Sequence, residues 1–226
     1  FFFQAEDGIR DSETWLEFRR VLFRSVDVNK FGGRFKYSKI LQLIDNADTS
    51  ITSNITKIII RRNLVASLNQ FAQYELCFGN AFHVDPKGYN IKSTGFTIFG
   101  ETSTVYLTDV PNADRLTGTI AIVTQDVGSD KVRVVNNSVG TVKYTTGEIQ
   151  LTTVNITSTV LANNVIQVQA YPESNDVVGL KDLYLSFDVS SSKINMVKDT
   201  ISSGEQISGV GFKAISSYSN GELKRQ

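Results

Sequence analysis

A short helix is predicted by the spacing of apolar residues near position 40. Four apolar side chains repeat at i, i+3, i+4 and i+7, which places them on one helix face: Tyr37, Ile40, Leu41 and Ile44. The helix is expected to end at Asp45 and Asn46, because short polar side chains compete for backbone hydrogen bonds. The pattern therefore predicts one short amphipathic helix.

Two strands are predicted directly after this helix. Ile55–Ile60 is β-branched at five of its six positions, which favours a strand. Further on, Tyr74, Leu76 and Phe78 alternate with residues of the opposite face, which is typical of a strand with one buried side. A helix packed on two antiparallel strands forms a small two-layer α+β unit. Such a ribbon cannot bury both of its faces alone, so it is expected to dock onto something else.

From Tyr89 to Val189 the chain reads as a series of short strands separated by turns. The clearest hairpin is Gly140–Leu151, in which Gly147 occupies a turn position where a positive φ is expected. The other strands predicted from Tyr89 onward are Thr94–Phe99, Val105–Leu107, Thr119–Gln125, Lys131–Val135, Val154–Ile156, Val165–Tyr171, Leu183–Val189, Ile194–Val197 and Val210–Ile215. Such closely spaced strands and turns predict an antiparallel β domain.

The first 25 residues stand apart from this pattern. Gln4–Asp11 and Leu16–Ser25 resemble the translation of a short-read sequencing adapter and its primer site, and Ser12–Trp15 lies where a sample index would be. A signal peptide does not fit, because Phe1–Phe3 has no basic region before it and acidic residues interrupt any apolar core. We therefore expect native sequence to begin near Val26, inside a truncated domain.

The predicted fold class is α+β and mostly β, with a helix–strand–strand unit followed by an antiparallel β domain. We expect four parts: residues 1–25, which are not native; a truncated α+β module at 26–88; the antiparallel β domain at 89–189; and C-terminal strands with a polar tail at 190–226. A chain of this length is large enough to bury roughly 70% of the surface that its unfolded form exposes.

Charge and composition argue against several classes of partner. The chain carries 23 Lys and Arg and 23 Asp and Glu, for a formal net charge of zero. It therefore lacks the basic field that would hold nucleic acid or an anionic membrane. No apolar run approaches the roughly 20 residues of a membrane helix. A single cysteine, Cys77, excludes an internal disulfide.

No combination of residues indicates an enzyme. His83 is the only histidine and Asp85 follows it, but no Ser or Cys nucleophile motif accompanies them. Capping of a strand end is the better interpretation of His83. Cys77 has no basic neighbour that would lower its pKa, so packing in a second layer explains it better than nucleophilic catalysis. We expect no catalytic residue and no small-molecule substrate.

Metal and cofactor sites are not expected either. Asp126 and Asp130 come closest to a metal-ligand pair, but they lack the alternating ligands of a calcium loop, and turn formation explains them better. Gly209–Ala214 matches the G-x-G-x-x-A dinucleotide pattern by letter only. A parallel strand-then-helix unit, which that pattern needs, does not surround it.

The wording of several segments resembles a known family. Phe31–Leu64 and Asn69–Phe82 are similar to the C-terminal part of a baseplate wedge subunit of T4-like contractile-tailed phages, the product of gene six, which is related to the baseplate J-like proteins. Gly140–Leu151, Ser174–Asp188 and Ser202–Val210 resemble later segments of the same subunit in the same order. The joint order of the segments carries the resemblance.

The resemblance implies a structural role in the virion, at the tail baseplate, after assembly in the host cytoplasm. Such subunits pair with a second copy of themselves, join the other wedge proteins and close the wedges into a ring. That role needs rigid modules with apolar or strand-edge contact surfaces. We expect the contact residues to include Phe31, Phe35, Ile58, Ile59 and Ile60, because a β-branched run would be hazardous if it stayed exposed.

The alternative function is a carbohydrate- or receptor-binding β module of a phage tail fibre. Such a module would need exposed aromatic side chains that converge on one groove, whereas most Tyr and Phe residues here alternate as core positions. A tail hydrolase would need paired carboxylates in a cleft. The sequence does not place such a pair, so we predict a structural protein that is not an enzyme.

Overall fold

The computed structural model describes residues 2–5, 28–48, 51–125, 131–188, 190–198, 218–219 and 222–223. Within these residues the chain forms one α-helix, α1 (Tyr37–Asp45), a single 3-10 turn (Ala162–Asn164) and eighteen strands. The strands are β1 (Phe2–Ala5), β2 (Lys30–Phe31), β3 (Arg34–Phe35), β4 (Ile51–Ile55), β5 (Ile60–Val65), β6 (Phe71–Cys77), β7 (Lys92–Ser93), β8 (Phe96–Ile98), β9 (Val105–Pro111), β10 (Thr117–Gln125), β11 (Val132–Lys143), β12 (Glu148–Thr159), β13 (Val165–Ala170), β14 (Val177–Val178), β15 (Tyr184–Leu185), β16 (Asn195–Lys198), β17 (Tyr218–Ser219) and β18 (Glu222–Leu223). The fold is mostly β with one helix ahead of antiparallel strands, as predicted.

Nine strands form the main sheet, and every pairing within it is antiparallel. The order is β10-β11-β12-β8-β9-β7-β13-β5, with β6 beside β12. Since β9 also pairs with β10, the strands β10, β11, β12, β8 and β9 close into a barrel-like ring. Register shifts at Ile120/Ile122 and Leu151/Val154 let long strands bend enough to close so small a ring.

The main core is formed by buried side chains of this sheet and its turns, and it contains residues from Leu64 to Ala170. Its largest fully buried side chains come from almost every strand of the ring and from the turns between them. They are Tyr144, Phe82, Phe96, Ile91, Ile120, Ile122, Ile149, Ile156, Ile166, Val105 and Val142. Strands far apart in the sequence therefore share one continuous apolar interior.

A second, smaller core lies under α1. We call the helix, its neighbouring short strands β2, β3, β14 and β15, and this core the helical layer. The core residues are Val28, Phe35, Ile40, Ile44 and Val177. Ile40 and Ile44 are the buried residues of α1, which confirms the predicted helix and its apolar face. The Tyr37 hydroxyl donates to the backbone carbonyl of Thr56 at 2.9 Å and fixes the start of the helix against the chain that follows β4.

The strand predicted over Ile55–Ile60 is wrong. β4 ends at Ile55 and β5 begins at Ile60, so the β-branched run is the crossing between two sheets. β4 pairs with β1, whereas β5 joins the main sheet beside β13. β-Branched residues fit an extended chain, but they do not fix which sheet it pairs with.

The predicted two-stranded ribbon is also wrong. β5 and β6 do not pair with each other: β5 pairs with β13, and β6 pairs with β12. The alternation in β6 is confirmed, because Leu76 and Phe78 are buried. These long-range partners could not be read from the local pattern.

The hairpin at Gly140–Leu151 is confirmed. Gly140 lies opposite Leu151 and Lys143 opposite Glu148, and Gly147 has a φ of +67°. A side chain at Gly147 would also collide with the backbone carbonyl of Asn80. Glycine is therefore required there both for the turn and for close packing.

Several strand boundaries differ from the prediction. β11 continues to Lys143 without the loop expected after Val135, and β12 runs through the break expected before Val154. The strand predicted at Leu183–Val189 shrinks to β15, because its partner β2 has only two residues. The strand predicted at Val210–Ile215 lies outside the described residues.

The predicted boundary at residue 88 falls between β6 and β7, which are strands of one sheet. The segments on its two sides therefore share a sheet and a core. At the N-terminus, Phe2–Ala5 pairs antiparallel with β4 and parallel with β16. The four-part division of the chain stays a prediction.

Candidate assembly surface

The five predicted contact residues all belong to the helical layer or border it, but they do not share one environment. Phe35 is only 5% exposed and its ring stacks on Phe187, with centroids 6.4 Å apart. Ile58 and Ile60 are half-buried against the same small core. Phe31 and Ile59 are exposed. Phe31 and Ile59 are therefore the most accessible of the five to a partner, and the other three pack in or against the small core.

An exposed aromatic pair forms the most prominent feature of this layer. Phe31 and Tyr184 lie opposite each other on β2 and β15, with ring centroids 5.4 Å apart in an edge-to-face arrangement. They are 65% and 56% exposed. The Tyr184 hydroxyl donates to the Asn29 carbonyl at 2.8 Å, so the pair is held in place. Sequence analysis missed Tyr184, because nothing local shows that it lies beside Phe31.

Side-chain hydrogen bonds from Asn80 and Asp176 hold the helical layer together and fasten it to the main sheet through Asn80. The Asn80 side chain donates to the Val178 carbonyl and accepts from the Val178 N–H, both at 2.9 Å. Asp176 accepts the N–H of Tyr37, the first residue of α1, at 2.8 Å. A peptide-like pair of hydrogen bonds at Asn80 extends β14 toward the main sheet. The layer therefore has a defined position relative to the barrel-like ring.

A charged cluster ties β5 to the chain after β15. Arg61 contacts the Asp188 carboxylate and also donates to the Ser191 hydroxyl at 3.1 Å. The hydroxyl of Ser190 donates to Asp188 at 2.5 Å. Hydrogen bonds from Ser190 and then Ser191, together with the Arg61 charge, hold the pKa of Asp188 well below its usual range, although partial burial opposes them. Asp188 is therefore an anion that organises this turn.

β5 is an edge strand of the main sheet. Among the described residues, β5 pairs only with β13 and ends the order of the main sheet. Val65 at its end is exposed. An open edge offers backbone groups for a partner strand. Whether this edge or the residues named above meet a partner stays a prediction.

The residues considered for catalysis, His83, Asp85 and Cys77, make structural contacts instead. The backbone N–H of His83 donates to the Tyr171 carbonyl at 3.0 Å, and the Asp85 carboxylate accepts the backbone N–H of Lys87 at 2.8 Å within a turn. Cys77 is half-buried. Burial, followed by the nearby Glu75, raises the pKa of its thiol, and the Arg62 charge opposes this shift. The prediction that Cys77 has no basic neighbour is wrong, because Arg62 contacts its backbone carbonyl. A raised pKa disfavours the thiolate that a nucleophile needs.

Metal and membrane features are equally sparse in the part of the chain that the structure describes. No group of three or more His, Cys, Asp or Glu side chains there is arranged to hold a metal ion. Asp126, Asp130 and Gly209–Ala214 lie outside that part. In the same residues, no helix has the length and apolar character that crossing a membrane requires.

A buried hydrogen-bonded pair, Tyr144 and Asp109, lies inside the barrel-like ring and was not predicted. Asp109 is completely buried on β9, where one carboxylate oxygen accepts the Tyr144 hydroxyl and the other accepts the Ile91 N–H, both at 2.7 Å. Burial, followed by the hydrogen bond to Asp109, raises the pKa of the Tyr144 phenol. The only signal in the sequence is a carboxylate inside the otherwise apolar strand Val105–Pro111, and its partners cannot be inferred from it.

Part of this surface matches a known protein family. Residues 21–63 match the family described as baseplate structural protein gp6, C-terminal domain III. The matched segment includes Phe31, α1 and β4 and reaches into β5. It begins ahead of the native start expected near Val26. No curated protein matches the chain. The resemblance found in the sequence is confirmed for this segment, which is similar to a baseplate structural domain of gp6.

Proposed function

We propose that the chain joins a second copy of itself and other wedge proteins in a contractile phage tail, through the exposed residues of the helical layer. A structural role in the virion baseplate follows from the family match. The wedge, the contractile T4-like tail, the ring and assembly in the host cytoplasm are the finer parts of the proposal. The observation that carries it is the position of the matched segment, which supplies most of the layer and its exposed Phe31.

The chemistry of the layer suits a permanent contact rather than a reaction. Phe31 and Tyr184 are large and rigid, and such side chains contribute much contact area at a small entropy cost. Phe35 and Phe187 stack on each other inside the layer. Ile59 adds an exposed apolar side chain from the crossing between β4 and β5. We therefore propose Phe31, Tyr184 and Ile59 as contacts, with Phe35, Ile58 and Ile60 as their support.

Rigid attachment favours a role in transmitting force within an assembly. Asn80 and Arg61 connect the layer or its neighbouring turn to another part of the chain. A contact made on this layer is thereby linked to the barrel-like ring rather than to a loose arm. We propose no enzymatic activity, cofactor, nucleic acid or membrane partner for this function.

Co-purification with wedge proteins of the same phage tests the proposal. The double variant Phe31→Ser, Tyr184→Ser should lose co-elution on size-exclusion chromatography, because it removes both aromatic contacts. The control Leu116→Ser removes a comparably exposed apolar side chain from a turn of the main sheet and should co-elute like the wild type. Equal co-elution of the double variant and the control would refute the assigned surface. Failure of the wild-type chain to bind any wedge protein would refute the function.

A further inference from the structure

β6 is an edge strand with one open side. Among the described residues it pairs only with β12, whereas the long strands β9, β10, β11 and β12 have neighbours on both sides. The Phe78 N–H donates to the Gly147 carbonyl at 2.9 Å, on the side of β12. Because backbone groups alternate in direction along an antiparallel strand, those of Gln73, Glu75 and Cys77 point to the open side.

A contact of Arg62 supports this direction and marks where the open stretch ends. The Arg62 guanidinium contacts the backbone carbonyl of Cys77, so this carbonyl already has a donor. Gln73 and Glu75 have exposed side chains, and no described strand pairs with their open side. The stretch Phe71–Glu75 therefore offers unpaired backbone groups, and we call it the free edge.

The other edge strand, β5, is protected by charged side chains. Arg61 contacts the carboxylate of Asp188. Arg62 lies on the same face of β5 as the buried Leu64, so its charge is on the core side of the sheet. Inward-pointing charges of this kind protect an edge from pairing with other chains. The core-side residues of the free edge, Ala72 and Tyr74, carry no charge at neutral pH, so β6 lacks this protection.

The outward side chains of the free edge differ in chemistry at its two ends. Phe71 is 70% exposed. Glu75 is exposed, and among the described residues its carboxylate accepts only a weak hydrogen bond from the Cys77 thiol, at 3.6 Å. The two residues are roughly 13 Å apart along the strand. A partner strand here meets an apolar group at one end and a carboxylate at the other.

We propose that the free edge of β6 binds one antiparallel strand of another wedge protein, in which a Lys or Arg is followed four residues later by an apolar side chain. The basic residue lies beside Glu75 and the apolar one beside Phe71, as cross-strand neighbours. Backbone hydrogen bonds at Gln73 and Glu75 supply affinity, and the two side chains supply specificity. The antiparallel direction is that of every pairing in the main sheet.

The free edge belongs to the same side of the molecule's chain path as the helical layer. Asn80, whose side chain holds Val178 of that layer, follows shortly after β6. The strand contact therefore adds to the contact through the aromatic pair and does not replace it. The inference rests on the proposed function, because the partner is a wedge protein, but it concerns separate residues.

Hydrogen exchange of the full chain, resolved by residue with NMR, tests the free edge. Purified wedge proteins of the same phage serve as the probe. In the free chain the amides of Gln73 and Glu75 should exchange fast and those of Tyr74 and Leu76 slowly, since only the latter two point to β12. A bound wedge protein should slow Gln73 and Glu75. Unchanged exchange at both in a stable complex would overturn the proposal, as would slow exchange at both before any partner is added.

A matched pair of variants separates the backbone donor from the side chain. Gln73→Pro removes the N–H on the open side, a position where an edge strand tolerates proline, whereas Gln73→Ala keeps that N–H. Gln73→Pro should raise the dissociation constant for the wedge protein roughly tenfold, and Gln73→Ala should leave it within about twofold. Circular dichroism checks that both variants are folded. Equal affinities of the two folded variants would refute strand addition.

A charge reversal tests the basic residue of the partner and does not depend on proline. Glu75→Lys should weaken binding at least about fivefold at low salt, and the difference should shrink at high salt. Glu173→Lys makes the same change at an exposed site outside β6 and should bind like the wild type. Equal binding by both variants would refute the assigned chemistry. Wedge binding that protects only the helical layer would refute the free edge alone, whereas no wedge binding at all would refute the proposed function together with it.

Discussion

The barrel-like ring and the helical layer differ in the size of the core and the length of the strands that stabilise them. The ring closes through pairings between distant strands and has a core that runs from Leu64 to Ala170. The helical layer has five buried core residues and strands of only two residues each. It depends on a few side-chain ties, such as Asn80 and Asp176, to keep its place. A large cooperative core thus carries a small layer whose exposed aromatic pair is available for contact.

The largest effect is expected from Phe96→Ala in the main core. Phe96 is fully buried where β8 joins both β9 and β12. Removal of its ring should lower the free energy of unfolding by about 3–5 kcal/mol, because it leaves a cavity at a junction of the ring. Urea denaturation measures this loss. A loss below 1 kcal/mol would mean that the ring is not the cooperative core.

Tyr144→Phe should have the next largest effect. It removes the hydroxyl that donates to the buried Asp109 and leaves that carboxylate with one bond fewer. We expect a loss of about 1–3 kcal/mol in the free energy of unfolding at neutral pH.

The raised pKa of Tyr144 allows a second test of the Tyr144–Asp109 hydrogen bond, by its dependence on pH. Its contribution is complete below the unfolded tyrosine pKa of about 10 and is lost as pH rises toward the folded value. Spectrophotometric titration should therefore show one tyrosine of the wild type that ionises later than the others. That late step should vanish in Tyr144→Phe; its survival would assign it elsewhere.

A matched pair of substitutions compares the two cores directly. Ile44 on α1 and Ile156 on β12 are both fully buried. Ile→Val should cost about 0.5–1.5 kcal/mol at either site. In hydrogen exchange, Ile44→Val should accelerate amides of the helical layer alone, whereas Ile156→Val should accelerate amides throughout the ring. Identical exchange patterns would show that the two regions open together.

The smallest effect is expected at the Asp188 turn, which borders the helical layer. A depressed folded pKa gives stability that is present above the unfolded Asp value of about 3.9 and is lost as pH falls toward the folded pKa. Ser190→Ala removes the leading hydrogen bond and should raise the pKa of Asp188. Carboxylate titration by NMR measures this shift. Because the Arg61–Asp188 pair is partly exposed, the accompanying change in stability should be minor.

Features set by neighbouring residues in the sequence could be predicted, whereas the pairing of strands that lie far apart in the sequence could not. The face of α1, the turn at Gly147 and the alternation in β6 follow from the spacing and type of neighbouring residues. The division of Ile55–Ile60 between two sheets depends on partners elsewhere in the chain.

The candidate surface shows the same limit. Phe31 could be named from the sequence, but Tyr184 could not, because only the pairing of β2 with β15 brings them together. Phe35 illustrates the reverse case. An aromatic residue in an assembly segment suggested a contact, whereas its ring supports the layer from inside.

Hydrogen exchange of the chain bound to purified wedge proteins, compared with the chain alone, tests the proposed contact most directly. We predict that binding slows exchange at Lys30–Phe31 and Tyr184–Leu185, because a partner covers the aromatic pair and stabilises β2 against β15. Unchanged exchange at both strands, with protection confined to other parts of a stable complex, would contradict the helical layer as the assembly surface.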